Sequence, residues 1–310
     1  MKHLTDLNSR LAVCFKQHLI SKLKTDNFKM NSPQISSEIR QQVQKSREAS
    51  LFLANLDNSV KNKILHDLAK SLRENSAEIL AENSRDMAEA EKMQESGELS
   101  DSACKRVLLN EDKLEQMAKN CESVAALPDP SGQVLQATRL DEGLELFRVS
   151  CPIGVILVIF ESRPDVVIQI SALALKSGNA VILKGGKEAL NSNRVLAGLI
   201  RKTLIASNSA PEDSVSLVES RDEVAELVKM SAELDLIIPR GSNELVQHIQ
   251  KNAQVPVLGH ADGICHVFLD ETANEAKSLE VTLDSKLDYP AVCNASETLL
   301  VHQNFSDKLL

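Results

Sequence analysis

An α/β fold with a parallel sheet is predicted for this chain by three observations. Short, continuous apolar runs recur at residues 155–160, 180–183, 215–218 and 236–238. Amphipathic stretches at 166–176, 189–206, 222–230 and 243–251 alternate with them. The runs lack the alternation of a half-solvated strand, which marks strands covered on both faces by helices. With 310 residues the chain is long enough for two domains with sizeable cores. We divide it into a segment at 1–30, a cofactor-binding layer at 31–254 and a second α/β region at 255–310.

Composition narrows the partners. The chain is 43% apolar and 25% charged, with a net charge of −9. An acidic balance argues against nucleic acid and against an anionic membrane surface, since both require a basic face. No apolar run approaches the roughly 18 residues of a membrane helix. The cysteines are Cys14, Cys104, Cys121, Cys151, Cys265 and Cys293. None forms CxxC and their spacing matches no zinc site, so no metal is expected. They read as reduced thiols.

Residues 1–30 carry six Lys/Arg against Asp6 and Asp26. Leu4, Leu7, Leu11, Phe15, Leu19 and Leu23 fall near one helical face. The pattern fits an organelle-targeting peptide or a plain helical extension. From 36 to 94 the period is helical, with Leu51, Leu53, Leu56, Val60, Ile64, Leu68 and Leu72 recurring and Asn58 as the expected N-cap. A helix follows over 75–92. Another opens at Asn110 and runs to 124, with acids in its first turn. Residues 128–132 read as a loop. Extended runs at 133–138 and 144–149 flank Glu142-Gly143, which predicts a projecting hairpin. Beyond the four parallel strands, 255–258 is expected to leave the layer. A strand at 265–269, a helix over 272–286 and a strand at 298–301 complete the pattern.

Chemistry-bearing residues cluster after the strands. Lys184-Gly185-Gly186 follows the second parallel strand. Paired glycines let backbone approach a ligand, and a lysine there can bond ribose or phosphate oxygens. An ordinary βα turn with a solvated lysine is the simpler alternative. Gly241-Ser242 stands at a helix start, where free N–H groups attract phosphate and where Ser242 can also simply cap. Ser162 and Arg163 lie past the first strand, the side on which such sheets bind ligands, and Arg163 can pair with an anion. His260 is a lone titratable group in a loop. Cys293 follows Tyr289-Pro290-Ala291-Val292 and precedes Asn294. Pro290 forbids a regular helix, and the small neighbours leave the sulfur accessible. It is a candidate nucleophile; taken alone, the stretch reads sooner as holding a buried small residue.

The segments IFESRPD, LKSGNAVILKGGKEA, DLIIPRGSNELV, VPVLGHADGICHVFLD and LDYPAVCNASETLLVH, in this order, resemble the gamma-glutamyl phosphate reductases of the aldehyde dehydrogenase superfamily. They are most similar to the reductase half of plant-like delta-1-pyrroline-5-carboxylate synthase, from about residue 34 onward. The resemblance implies NADPH-dependent reduction of gamma-glutamyl phosphate to glutamate-5-semialdehyde and phosphate, in proline synthesis. It implies Cys293 as nucleophile, with Asn294 and Ser162 near the reacting carbonyl. It places Lys184 and Gly185 on the adenosine side of the cofactor and Gly241 and Ser242 on its pyrophosphate. Arg163 is our own candidate for the acidic substrate. The hairpin would serve oligomerisation, in a homo-oligomer, with glutamate kinase as a further partner and the cytoplasm as compartment, or mitochondrion or plastid if 1–30 targets. Hydrolytic relatives carry a glutamate base where this chain reads Val257-Leu258-Gly259-His260. Its absence agrees with phosphate, not water, as acyl partner. The family continues well past residue 310, so a partial catalytic domain is expected. That leaves as rivals a catalytically dead chain that binds NADPH or associates with full-length subunits, and an acyl-CoA-reducing relative.

Overall fold

The computed structural model describes residues 37–259, 263–290 and 292–309. The segment 1–30 and His260 lie outside the described residues. Among the described residues no helix is long and apolar enough to cross a membrane.

Five helices come first: α1 Ser37–Leu53, α2 Asn58–Glu74, α3 Ser76–Glu95, α4 Asp101–Val107 and α5 Glu111–Ala126. The hairpin follows as β1 Val134–Asp141 and β2 Leu144–Val149. Then come β3 Val155–Phe160, α6 Asp165–Lys176, β4 Ala180–Lys184, α7 Leu190–Ser207, β5 Val215–Val218, α8 Arg221–Leu227, β6 Leu236–Arg240 and α9 Asn243–Asn252. The chain continues with β7 Cys265–Leu269, α10 Glu275–Leu287, β8 Ser296–Val301 and α11 Gln303–Leu309. The expected alternation of strand and helix is therefore present. The short α4 was not anticipated, although its N-cap Ser100 accepts the Ala103 N–H in the ordinary way.

The main sheet has the order β5-β4-β3-β6, all parallel. All six residues of β3 are buried, as their unbroken apolar run requires. Helix α1 lies against β3, β4 and β5, while α6 covers β4, α7 covers β5 and α9 covers β6. Farther out, α2 packs on α5, α5 on α6, and α3 on α7.

Polar side chains fasten these layers. Asp235, just before β6, accepts both arms of the Arg47 guanidinium at 2.6 and 3.0 Å and the Val155 N–H at 2.7 Å. Gly154 passes beside that carboxylate at φ 127°, and a Cβ there would meet Asp235 Oδ2 at 2.0 Å. Asp86 of α3 accepts the Asn191 and Ser192 N–H groups at 3.0 and 2.7 Å. A carboxylate thus closes the N-terminus of α7, where the helix dipole favours it.

Two local expectations are corrected. The N-cap of α2 is Asp57, not Asn58. The Asn58 amide oxygen instead accepts from the buried Lys176 ammonium at 2.7 Å, beside Asn62 Oδ1 and the Ala125 carbonyl. Burial lowers the pKa of Lys176, and these neutral acceptors replace its lost water. Residues 255–258 do not leave the layer: Val257 bridges Ile237 in parallel and the Leu258 N–H donates to the Ile237 carbonyl at 2.8 Å.

The hairpin pairs antiparallel and exposes Val134, Leu135, Leu140, Leu144, Leu146 and Val149. Strands β7 and β8 pair in parallel. Their region leaves Leu283 of α10 48% exposed and Leu299 of β8 45% exposed.

Candidate active site

The carboxyl ends of β3, β4 and β6 lie side by side and deliver three loops. Chain order runs outward from β3 to β4 to β5, then returns to the other flank of β3 with β6. The boundary between β3 and β6 is therefore a topological switch point, the place where open α/β sheets open a crevice.

Glu161, directly after β3, reaches across that boundary. Its Oε2 accepts the Ser242 N–H at 3.0 Å. Ser242 caps α9, its hydroxyl accepting the Leu245 N–H at 3.4 Å. A Cβ on Gly241 would come within 2.4 Å of Glu161 Oε2, so Gly241 is the residue that permits the approach. The helix start thus receives an anion, here a carboxylate of the protein itself.

Ser162 is buried in the left-handed region at φ 49°. Its N–H and hydroxyl both donate to Glu188 Oε1, at 2.5 and 2.8 Å. Glu188 is itself buried, beneath Gly186, where a Cβ would collide with its carboxylate. The sequence offered no signal for this role beyond an acid shortly after a glycine pair.

Lys184 ends β4, half-buried, and its ammonium donates to the Gly185 carbonyl at 2.6 Å. Burial lowers its pKa and Arg221 adds to the push, while Glu188 and Glu161 oppose it. Gly185 is wedged between Asn193 and Phe160, with no room for a side chain.

Cys293 is an exposed free thiol on the turn before β8. Its carbonyl accepts from the Cys265 thiol at 3.6 Å, and Gly263 lies so close that a Cβ would sit 2.1 Å from that same carbonyl oxygen. Asn294 is exposed and makes no hydrogen bond among the described residues. Arg163 is exposed and lines a recess that Tyr289 also lines. The structure therefore joins Glu161 with Gly241 and Ser242, Ser162 with Glu188, and Arg163 with Tyr289. No hydrogen bond among the described residues links Cys293 or Asn294 to the Ser162–Glu188 pair.

A dinucleotide needs an anion seat and a donor for ribose oxygens. The Ser242 N–H, already holding a carboxylate, meets the first need, and the partly desolvated Lys184 meets the second. These residues fit such a cofactor.

Comparison with known proteins identifies the family. The aldehyde dehydrogenase family model matches residues 29–310. A gamma-glutamyl phosphate reductase of Methanococcoides burtonii is 45% identical over 276 residues, which cover 89% of this chain and 62% of the relative. The crystal structure of gamma-glutamyl phosphate reductase from Thermotoga maritima superposes with a TM-score of 0.81 at 39% identity, covering 88% of this chain and 65% of that one. The Saccharomyces cerevisiae reductase gives 0.68 at 42% identity, covering 89% and 68%. The chain spans about 62% of the length of the curated relatives it matches. The likeness carried by the five motifs is thus borne out, and the chain belongs to the aldehyde dehydrogenase family.

Proposed function

We propose that this chain carries the reductase chemistry of its relatives: gamma-glutamyl phosphate is reduced to glutamate-5-semialdehyde and phosphate through a thioacyl group on Cys293. The observation that carries the reading is the crevice between β3 and β6, where Gly241 and Ser242 already seat an anion from Glu161. In this reading Lys184 and Gly185 hold the adenosine side of NADPH, and Gly241 and Ser242 hold its pyrophosphate. NADPH, when bound, supplies the hydride.

The remaining roles fall to side chains of the protein. The Cys293 thiolate attacks the acyl carbon, phosphate departs with the electrons of the broken C–O bond, and a thioester remains on the sulfur. After reduction the C–S bond breaks, the aldehyde leaves, and Cys293 returns to thiolate. Asn294, exposed on the same turn as Cys293, supplies a donor to the carbonyl oxygen. Ser162 acts as a positioning residue, because its N–H and its hydroxyl both already donate hydrogen bonds to Glu188. Arg163 faces the acidic substrate. The exposed apolar rows of the hairpin support association with further copies of the chain.

A second reading is binding of NADPH without turnover, favoured by the exposed Leu279, Leu283 and Leu287 on α10. One experiment separates the two. Gamma-glutamyl phosphate, generated in place by a glutamate kinase, is mixed with the purified chain and NADPH, and loss of NADPH absorbance is followed in a single turnover. Turnover that disappears in Cys293→Ser supports the thioacyl route. NADPH binding without turnover favours the second reading, and equal turnover in Cys293→Ser overturns the first. Lys184→Ala should weaken NADPH binding roughly ten- to hundredfold, the worth of a charged hydrogen bond.

A further inference from the structure

A recess of about 300 Å³ opens between α4, α5, α6 and the segment after α10. Arg106, Lys113, Arg163, Asp165, Gln169 and Tyr289 are among its lining residues. Its volume is that of a small-metabolite pocket. Tyr289 precedes the candidate nucleophile by a few residues, and Arg163 adjoins Ser162, so the recess borders the site.

The lining brings three cations together with a single carboxylate. Arg106 and Arg163 form no ion pair among the described residues. Arg106 Nε is moreover shielded from solvent with no hydrogen-bond partner. A guanidinium N–H left in this state carries an unrecovered desolvation cost, and such a group calls for a partner. Lys113 adds a third cation, its ammonium donating to the Leu108 carbonyl. Asp165, the carboxylate on the lining, accepts from Gln169 at 2.9 Å through Oδ2. Three cations beside one carboxylate match a ligand with an acidic group and an ammonium on neighbouring atoms.

We infer that this recess binds the α-amino acid end of the substrate, with Arg106 and Arg163 on its carboxylate, supported by Lys113, and Asp165 on its ammonium. The inference rests on the reading that the substrate is an acyl phosphate, and it deepens that reading by naming what distinguishes one acyl phosphate from another. Substrates lacking the α-amino group are discriminated against because Asp165 is then left unpaired.

The test uses the 310-residue chain and two probes of equal carbon length, L-glutamate and glutarate, the second lacking the ammonium. Calorimetric titration is performed on wild type, Arg106→Met, Arg163→Met and Asp165→Asn, with NADPH titrated in each. We expect Arg106→Met and the solvent-exposed Arg163→Met each to weaken L-glutamate roughly tenfold or more. Asp165→Asn should weaken L-glutamate while leaving glutarate unchanged. NADPH affinity should not move in any variant. Absence of L-glutamate binding to wild type overturns the inference, as does unchanged binding in both arginine variants, or an equal loss of both probes in Asp165→Asn. Inorganic phosphate that binds the recess more tightly than either probe and displaces both reassigns it to the phosphate group and also overturns the inference. Failure of NADPH binding or of turnover bears on the proposed reaction alone, because the two carboxylate probes are read without either.

Discussion

The carboxylate of Glu188 accepts both protons that Ser162 offers, and it does so while Ser162 sits at φ 49°. A non-glycine residue in that region costs about 1–2 kcal/mol, so the pair holds a strained turn at the end of β3 in place. Removing the acid should release the turn. Glu188→Ala is expected to lose about 1–3 kcal/mol, the penalty for an orphaned buried N–H. Ser162→Gly tolerates the conformation and should cost less than Glu188→Ala. Urea unfolding of the two variants checks the order.

Gly263 offers a way to disturb Cys293 without touching it. A methyl group there would press on the Cys293 carbonyl, a backbone atom that cannot rotate aside. Gly263→Ala should therefore shift the turn that carries the thiol. A displacement near 1 Å can cost on the order of 100-fold in rate. The expected result is a slower alkylation of Cys293 and slower turnover, with the melting transition of the main sheet unmoved.

Glu161 occupies the seat proposed for the cofactor pyrophosphate, and an anion cannot enter while it stays. Glu161→Gln should tighten NADPH binding by about two- to fivefold, from the 0.3–1 kcal/mol that a charge at a helix end is worth. Fluorescence titration of NADPH decides the matter. Unchanged or weaker binding would show that Glu161 is not a competitor.

The buried thiols set a pH dependence of known sign. Burial, with Glu122 nearby, pushes Cys121 up to about 12. The unfolded chain ionises this thiol in the ordinary range, so it holds fewer protons there than the folded chain. Its contribution to stability is full below that range and falls as pH rises toward about 12. Cys104 is raised as well, by burial and by Glu91 and Asp101. Iodoacetamide near neutral pH should therefore label exposed Cys293 and Cys151 and spare Cys104 and Cys121, with Cys293 the fastest if it is the nucleophile. Peptide mapping by mass spectrometry reads the order.

Much of the sheet was legible because both faces of β3 and β4 are covered, which leaves an unbroken apolar run in each. The end of β6 was read short at Ile238. Pro239 looks like a terminator, yet on the flank away from β3 the described residues pair β6 only through the Ile237–Val257 bridge, and the strand edge beyond that bridge tolerates a residue with no N–H to donate. Asn58 carried the signature of a cap, but a buried lysine 118 residues away drew its side chain into another bond. The site shows the same division. Ser162, Lys184, Gly241 and Ser242 stand at strand ends, where sequence order alone locates them. Glu161, Glu188 and Arg106 act across turns and between layers, and no local pattern announces such partners.

The clasp of Asp235 on Arg47 and Val155 has a consequence for how the chain acquires its structure. The contact joins residues 188 positions apart, and β3 waits for its neighbour β6 across the two strands inserted between them. Closing a loop costs little more as it lengthens, about 0.6 kcal/mol for each doubling, but the search for non-local pairing is slow. On a ribosome, β3 and β4 can meet early, whereas one edge of β3 stays bare until Asp235 and the strand behind it have left the tunnel. During that interval a run of buried-type residues faces water with its backbone unpaired, the kind of surface on which nascent chains aggregate and chaperones act.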